Sequence, residues 1–164
     1  MKNIVWRLGV AAMLLAVGVC PARARLGETA GDLQKRFGPP LKQLKQPGAT
    51  DLVQNQYLNH DLLIYVTLYR DTSVVEHYLK LTAAPVNGAP LVVAPLPREL
   101  ATAILQAAAA GAQWRQMSET DADIKFARDD QKALAVILKR DRIPVELRIC
   151  DINFIKALAE PRKN

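Results

Sequence analysis

Residues Leu62 to Leu81, LLIYVTLYRDTSVVEHYLKL, return in altered form at residues 132 to 151. At an offset of seventy positions Val66, Leu68, Arg70, Asp71, Val75 and Glu76 fall on Val136, Leu138, Arg140, Asp141, Val145 and Glu146. Ile64 and Leu79 fall on Leu134 and Ile149. Such self-similarity indicates an internal repeat, and whatever the first copy folds into, the second is expected to fold into as well.

The copied stretch alternates as a hairpin does. A turn at Asp71 and Thr72 sets Leu68 opposite Val75, Val66 opposite His77 and Ile64 opposite Leu79. That row is apolar except for His77. The other face then carries Tyr65, Thr67, Tyr69, Glu76 and Tyr78, a mixed surface with three tyrosines. In the second copy a turn at Asp141 and Arg142 sets Leu138 opposite Val145, Val136 opposite Leu147 and Leu134 opposite Ile149. A slip of one residue would turn either apolar row towards water, so the pattern predicts this register. Pro144 is the misfit, because it cannot donate to a ladder and belongs at a strand start or a sheet edge.

Residues 1–24 read as a secretory signal. Lys2 and Arg7 form a positive start, Leu8 to Val19 is an apolar run too short to span a bilayer comfortably, and Ala22-Arg23-Ala24 has the form of a cleavage site. Cys20 raises the rival reading of lipidation, against which stands the bulky Val19 before it. Cleavage after Ala24 leaves 140 residues and lowers the net charge from +6 to +3, because Lys2, Arg7 and Arg23 leave with the signal. The remaining Lys and Arg are scattered among acids, which argues against nucleic acid as a partner. Cys150 then has no intramolecular partner, so stability is expected from packing.

Residues 25–164 are expected to form a single domain of the α+β class, with two repeats, 25–83 and 96–150, and a closing helix at 151–160. Thr29 with Asp32 caps a first helix that Gly38-Pro39-Pro40 ends. Residues 41–50 read as a loop and Leu52 to Leu58 as a strand that turns at Asn59 and His60. Four prolines between residues 83 and 97, with Asn87-Gly88 among them, mark the connector. Pro97 opens a second helix with Leu100, Ile104 and Ala108 on one stripe, and Gly111 ends it. Trp114 is read as a core plug in preference to a ligand contact, and residues 123–128 as a strand with Ile124 and Phe126 on the apolar face. Asp151 caps the last helix. The unit is thus helix, strand, strand, strand, used twice, placing six antiparallel strands side by side with helices over the apolar face.

The motif Leu26-Gly27-Glu28-Thr29, Asp32-Leu33, Phe37-Gly38-Pro39-Pro40 resembles the opening of the SmpA/OmlA outer-membrane lipoprotein domain and of β-lactamase-inhibitor-like repeats, over about fifteen residues. What the resemblance implies is a small exported protein that binds other proteins through an open sheet face.

Two functional readings follow. The first is a periplasmic or secreted non-enzymatic binding module, working with another envelope protein, with Tyr65, Tyr69 and Tyr78 as candidate contacts; tyrosine brings large area and a polar tip to interfaces. The plainer reading of the same tyrosines is packing across the hairpin. The second is a small hydrolase or thiol enzyme using His77 or Cys150. Against it, His77 is expected on the apolar face and Cys150 is expected to point away from it. Two isolated histidines and one thiol lack zinc-site spacing, Gly27, Gly31 and Gly38 make no phosphate loop, and no cofactor or metal is expected.

Overall fold

The computed structural model describes residues 25–45, 51–83 and 91–159. The signal reading, Cys20 and Asn87-Gly88 lie outside them. The elements run α1 (Ala30–Phe37), β1 (Lys42–Lys45), β2 (Leu52–Asn59), β3 (Leu62–Tyr69), β4 (Thr72–Lys80), α2 (Arg98–Ala108), β5 (Trp114–Glu119), β6 (Asp123–Arg128), β7 (Ala133–Arg140), β8 (Ile143–Asp151) and α3 (Ile152–Ala159). All eight strands share one antiparallel sheet in the order β1-β2-β3-β4-β8-β7-β6-β5.

The expected α+β class with a helix-covered sheet is therefore corrected to mostly β, with 50% strand against 22% helix among the described residues. Helices of 8 and 11 residues are about 12 and 16 Å long, whereas eight strands spread over roughly 34 Å, so they cannot roof the sheet. Each half also holds one strand more than expected. β1, KQLK, is exposed throughout, and β5, WRQMSE, is exposed beyond Trp114. As sheet edges they bury no apolar row, so their sequences carry no alternation to read.

Local chemistry explains the helix ends. Thr29 Oγ1 accepts from the Asp32 amide at 3.2 Å while Asp32 answers to the Thr29 amide at 3.4 Å, the reciprocal cap expected. Gly38 leaves the helix at φ 81°, where a side chain would be strained. Pro97 stands one position earlier than expected, as the N-cap of α2. Asp151 Oδ1 accepts from the Phe154 amide at 3.0 Å at the start of α3.

The hairpin registers differ from expectation by one residue on one strand of each pair. In the first, Arg70 and Asp71 make the turn, both at positive φ (50° and 64°), and Val74 is bulged out between the pairs Thr67–Val75 and Leu68–Ser73. Ile64, Val66 and Leu68 reach the core as expected, but from β4 it is Glu76 and Tyr78 that join them, while Val75, His77 and Leu79 take the other face. In the second, the turn is Asp141 and Arg142 as expected, but Val145 is bulged between Leu138–Glu146 and Lys139–Pro144. Leu147 and Ile149 stay in the core, whereas Ala133, Ala135 and Ile137 replace Leu134, Val136 and Leu138. Pro144 lies beside that bulge, near the strand start.

The two turns and the two bulges are both 71 residues apart, so the halves match in shape one residue out of step with their sequence likeness. His77 and Arg148 obey the same offset and face each other where β4 meets β8. Around them the pairs exchange: Glu76 with Ile149 and Tyr78 with Leu147, then Val75 with Cys150 and Leu79 with Glu146. A local two-fold relation between the halves thus passes through the centre of the sheet.

The core lies on the face that carries α1 and α2. Leu33 of α1 and Ala101, Ile104, Leu105 and Ala108 of α2 pack on Tyr57, Ile64, Val66, Ile137 and Leu147. At the end of β4 Val93 bridges Leu81, and Leu96 enters the core.

Candidate binding face

The face away from α1 and α2 is built by the alternate residues of the same strands. Across its centre lie Tyr65 of β3, His77 of β4 and Arg148 of β8, joined by the pairs Tyr65–His77 and His77–Arg148. Half-buried Val136 and Leu138 and exposed Leu134 of β7 extend it. Glu146 organises the polar centre: Arg148 grips its two oxygens with Nε and Nη2, and His77 Nδ1 stands 3.4 Å from Oε1. This fork fixes both arginine and carboxylate in one geometry. Burial, and then Arg148, hold the His77 pKa below its ordinary value against the pull of Glu146, so the imidazole is neutral at neutral pH.

Of the three candidate tyrosines, two are on this face. Tyr65 is half-buried in the middle of it, and Tyr69 lies near its end, where α3 arrives: the Phe154 ring is 5.7 Å from that of Tyr69, and the Arg70 guanidinium is 5.0 Å from the Tyr69 ring. Tyr78 is a correction, because it is fully buried on the helix face. His77 and Cys150, expected on opposite faces, share the open one; Cys150 lies diagonally from His77 beside Val75, and no hydrogen bond joins them. Burial raises the Cys150 pKa and Arg148 only partly offsets it. His60 occupies the β2–β3 turn at φ 57°, as expected of a solvated turn residue.

Sequence reasoning missed a fully buried carboxyl group. Glu76 has no exposed surface, and its Oε2 accepts the Tyr78 hydroxyl proton. Arg36 of α1 reaches over with Nη2 2.9 Å from Glu28 and 3.7 Å from Glu76. The N-terminal segment is tied to the same place, since the Gly27 amide donates to Ser73 O at 2.9 Å and the Ser73 amide to Glu28 O at 2.8 Å. Desolvation raises the pKa of both carboxyl groups against the pull of Arg36. The one sequence signal for this cluster was a charged residue alternating with Val74 and Tyr78, which the expected register placed in solvent. Among the described residues no group of three or more His, Cys, Asp or Glu is placed to hold a metal ion, and no helix is long and apolar enough to cross a membrane.

No family model matches the chain, and no curated protein is significantly similar to it in sequence. Among solved structures it is similar to an extracellular protein containing a SCP domain from Bacillus anthracis, at 11% identity over 80% of this chain and 45% of that one, with a TM-score of 0.44. It is also similar to a cysteine-rich secretory protein from Staphylococcus aureus (11% identity, 79% and 44% covered, TM-score 0.44) and to a DUF4309 family protein from Bacillus subtilis (14%, 75% and 78%, TM-score 0.40). The chain spans less than half the length of the first two. None of the three belongs to the families that the opening motif resembles.

Proposed function

We propose that the protein is an exported, non-enzymatic binding module that holds another envelope protein against the open face of its sheet. The observation that supports this reading most is the placement of Tyr65 at the centre of a face that α1 and α2 leave uncovered, beside a preset Glu146–Arg148 pair. Half-buried aromatic area with a polar tip, on a face that Val136 and Leu138 continue on β7, suits the apolar centre of an interface, and a charge pair already held in one geometry loses little freedom on docking. Export rests on the leader-like residues 1–24, and the compartment is the periplasm or the outside of the cell, with a Cys20 lipid anchor as the rival arrangement.

The test is capture of a partner from an envelope extract by the full chain and by a Tyr65→Ala, Arg148→Ala variant. Loss of capture with an unfolding midpoint close to that of the parent supports the reading. Undiminished capture by the folded variant overturns it.

A further inference from the structure

We propose that the cleft between α2 and the strands β5 to β7 is a binding site for a small amphipathic monoanion, an aliphatic chain ending in a carboxylate. This site is on the helix side of the sheet and is independent of the open face. Its volume is about 430 Å³, inside the roughly 300–1,000 Å³ range of small-molecule sites. The wall is supplied by Leu105, Trp114, Ile124, Phe126 and Ile137.

The cleft follows from the shape of the second half. On β7 the wall residue is Ile137, paired with Ile124 of β6, while Ala135 opposite Phe126 is a small side chain at the neighbouring core position. Trp114 stands at the side and is fixed there, because its indole N–H donates to Leu105 O at 2.7 Å. With that donor engaged, the ring presents only apolar surface to an occupant. An aliphatic chain is therefore what the wall recognises.

The headgroup is assigned by charge. Arg98, the first residue of α2, is the one charged residue among the described residues that line the cleft. Nearby Glu119 feels Arg98 but is held first by Lys139, whose Nζ lies 2.7 Å away. Because Lys139 already engages Glu119, the Arg98 guanidinium on the cleft lining is left as the charge that one carboxylate matches. The amides of Gln106 and Gln116 line the same cleft and add polar surface beside the apolar wall.

The experiment titrates the full chain carrying Trp6→Phe with decanoate, decanol and decyltrimethylammonium, following Trp114 fluorescence and the heat of binding. The expected result is saturable one-to-one binding of decanoate, weaker binding of decanol and none of the cation. Thr102→Phe, which places a ring in the cleft from an exposed helix position, is expected to weaken decanoate about tenfold. Arg98→Gln is expected to weaken decanoate about tenfold and decanol hardly at all. Should Thr102→Phe fail to fold, Arg98→Gln carries the test, since Arg98 is exposed. Tyr65→Ala is expected to leave decanoate binding unchanged, which separates this site from the open face. No saturation below decanoate micelle formation, several equivalent molecules per chain, equal binding of the cation, or unchanged affinity in folded Arg98→Gln would each overturn the proposal.

Discussion

Arg36 stands 2.9 Å from Glu28 and 3.7 Å from Glu76, so a single guanidinium serves two carboxyl groups under the sheet. The second of these is fully buried, and its negative form lacks the water that would stabilise it. Its folded pKa is accordingly raised above the ordinary value of 4.5, with desolvation the leading cause. For an acid the sign is as follows. Below the unfolded pKa the group is protonated in both states and costs nothing; as pH rises towards the folded pKa, the unfolded chain releases the proton and the native state does not, so stability falls. Glu28, raised for the same leading reason, acts in the same direction.

Glu76→Gln keeps the shape and an acceptor for Tyr78 but cannot ionise. It is expected to match the parent near pH 4 and to become more stable than the parent as pH rises above about 5. Urea unfolding of both proteins at several pH values measures this difference directly. A difference that stays constant with pH would show that Glu76 titrates as it does in the unfolded chain.

Removing one hydroxyl separates the two tyrosine environments. Tyr78→Phe leaves Glu76 Oε2 without its donor inside the core and is expected to cost about 1–3 kcal/mol at neutral pH. Tyr65→Phe, at a half-buried position on the open face, is expected to change stability by less than about 0.5 kcal/mol. Thermal and urea unfolding of the pair decide it, and equal losses would mean that Tyr65 is also part of a buried network.

The contrast between these tyrosines also shows what was legible in the sequence. The Thr29–Asp32 cap, the Asp141–Arg142 turn and the α3 start were readable because each depends on residues within a few positions of one another. The strands with an apolar row were found for the same reason. Register was not readable, because Val74 and Val145 each add one residue to a strand, and a bulged valine looks like any other strand valine. The face of β4 was misread because Val75, His77 and Leu79 make a greasier row than Glu76 and Tyr78 do. What places Glu76 inside is Arg36, forty residues earlier and on a helix, a partner that no local pattern announces. The open face kept Tyr65 and Tyr69 and lost Tyr78 through that single slip.

The second turn holds Asp141 and Arg142 at φ 51° and 67°, in the left-handed region, which aspartate tolerates but which costs a residue such as arginine roughly 1–2 kcal/mol. Arg142→Gly removes that strain while giving up an exposed ion pair with Asp121, whose two side chains are 78% and 76% exposed and whose worth is at most about 1 kcal/mol. With the extra flexibility of glycine in the unfolded chain, the net expectation is a gain of up to about 1 kcal/mol. An increase in the urea midpoint without a change in slope checks it; a decrease would mean that Arg142 holds the turn through its side chain.

Cys150 provides the test that divides the binding reading from the thiol-enzyme reading. Its thiol is half-buried on the open face, its pKa is raised by that burial, and its electrostatic neighbour is Arg148 instead of an imidazole. Nucleophilicity belongs to the thiolate, so raising the pKa lowers the reactive fraction at neutral pH. In full chain carrying Cys20→Ser, Cys150 is expected to react with Ellman's reagent on the order of tenfold more slowly than a small free thiol near neutral pH. The difference should narrow as the solution is made alkaline, where the pH passes even the raised pKa, and vanish in denaturant, which removes the burial. His77→Ala is expected to leave the slow rate unchanged, since no hydrogen bond connects the two side chains. A fast reaction at neutral pH that His77→Ala abolishes would instead show a working Cys-His pair and move the assignment to an enzyme.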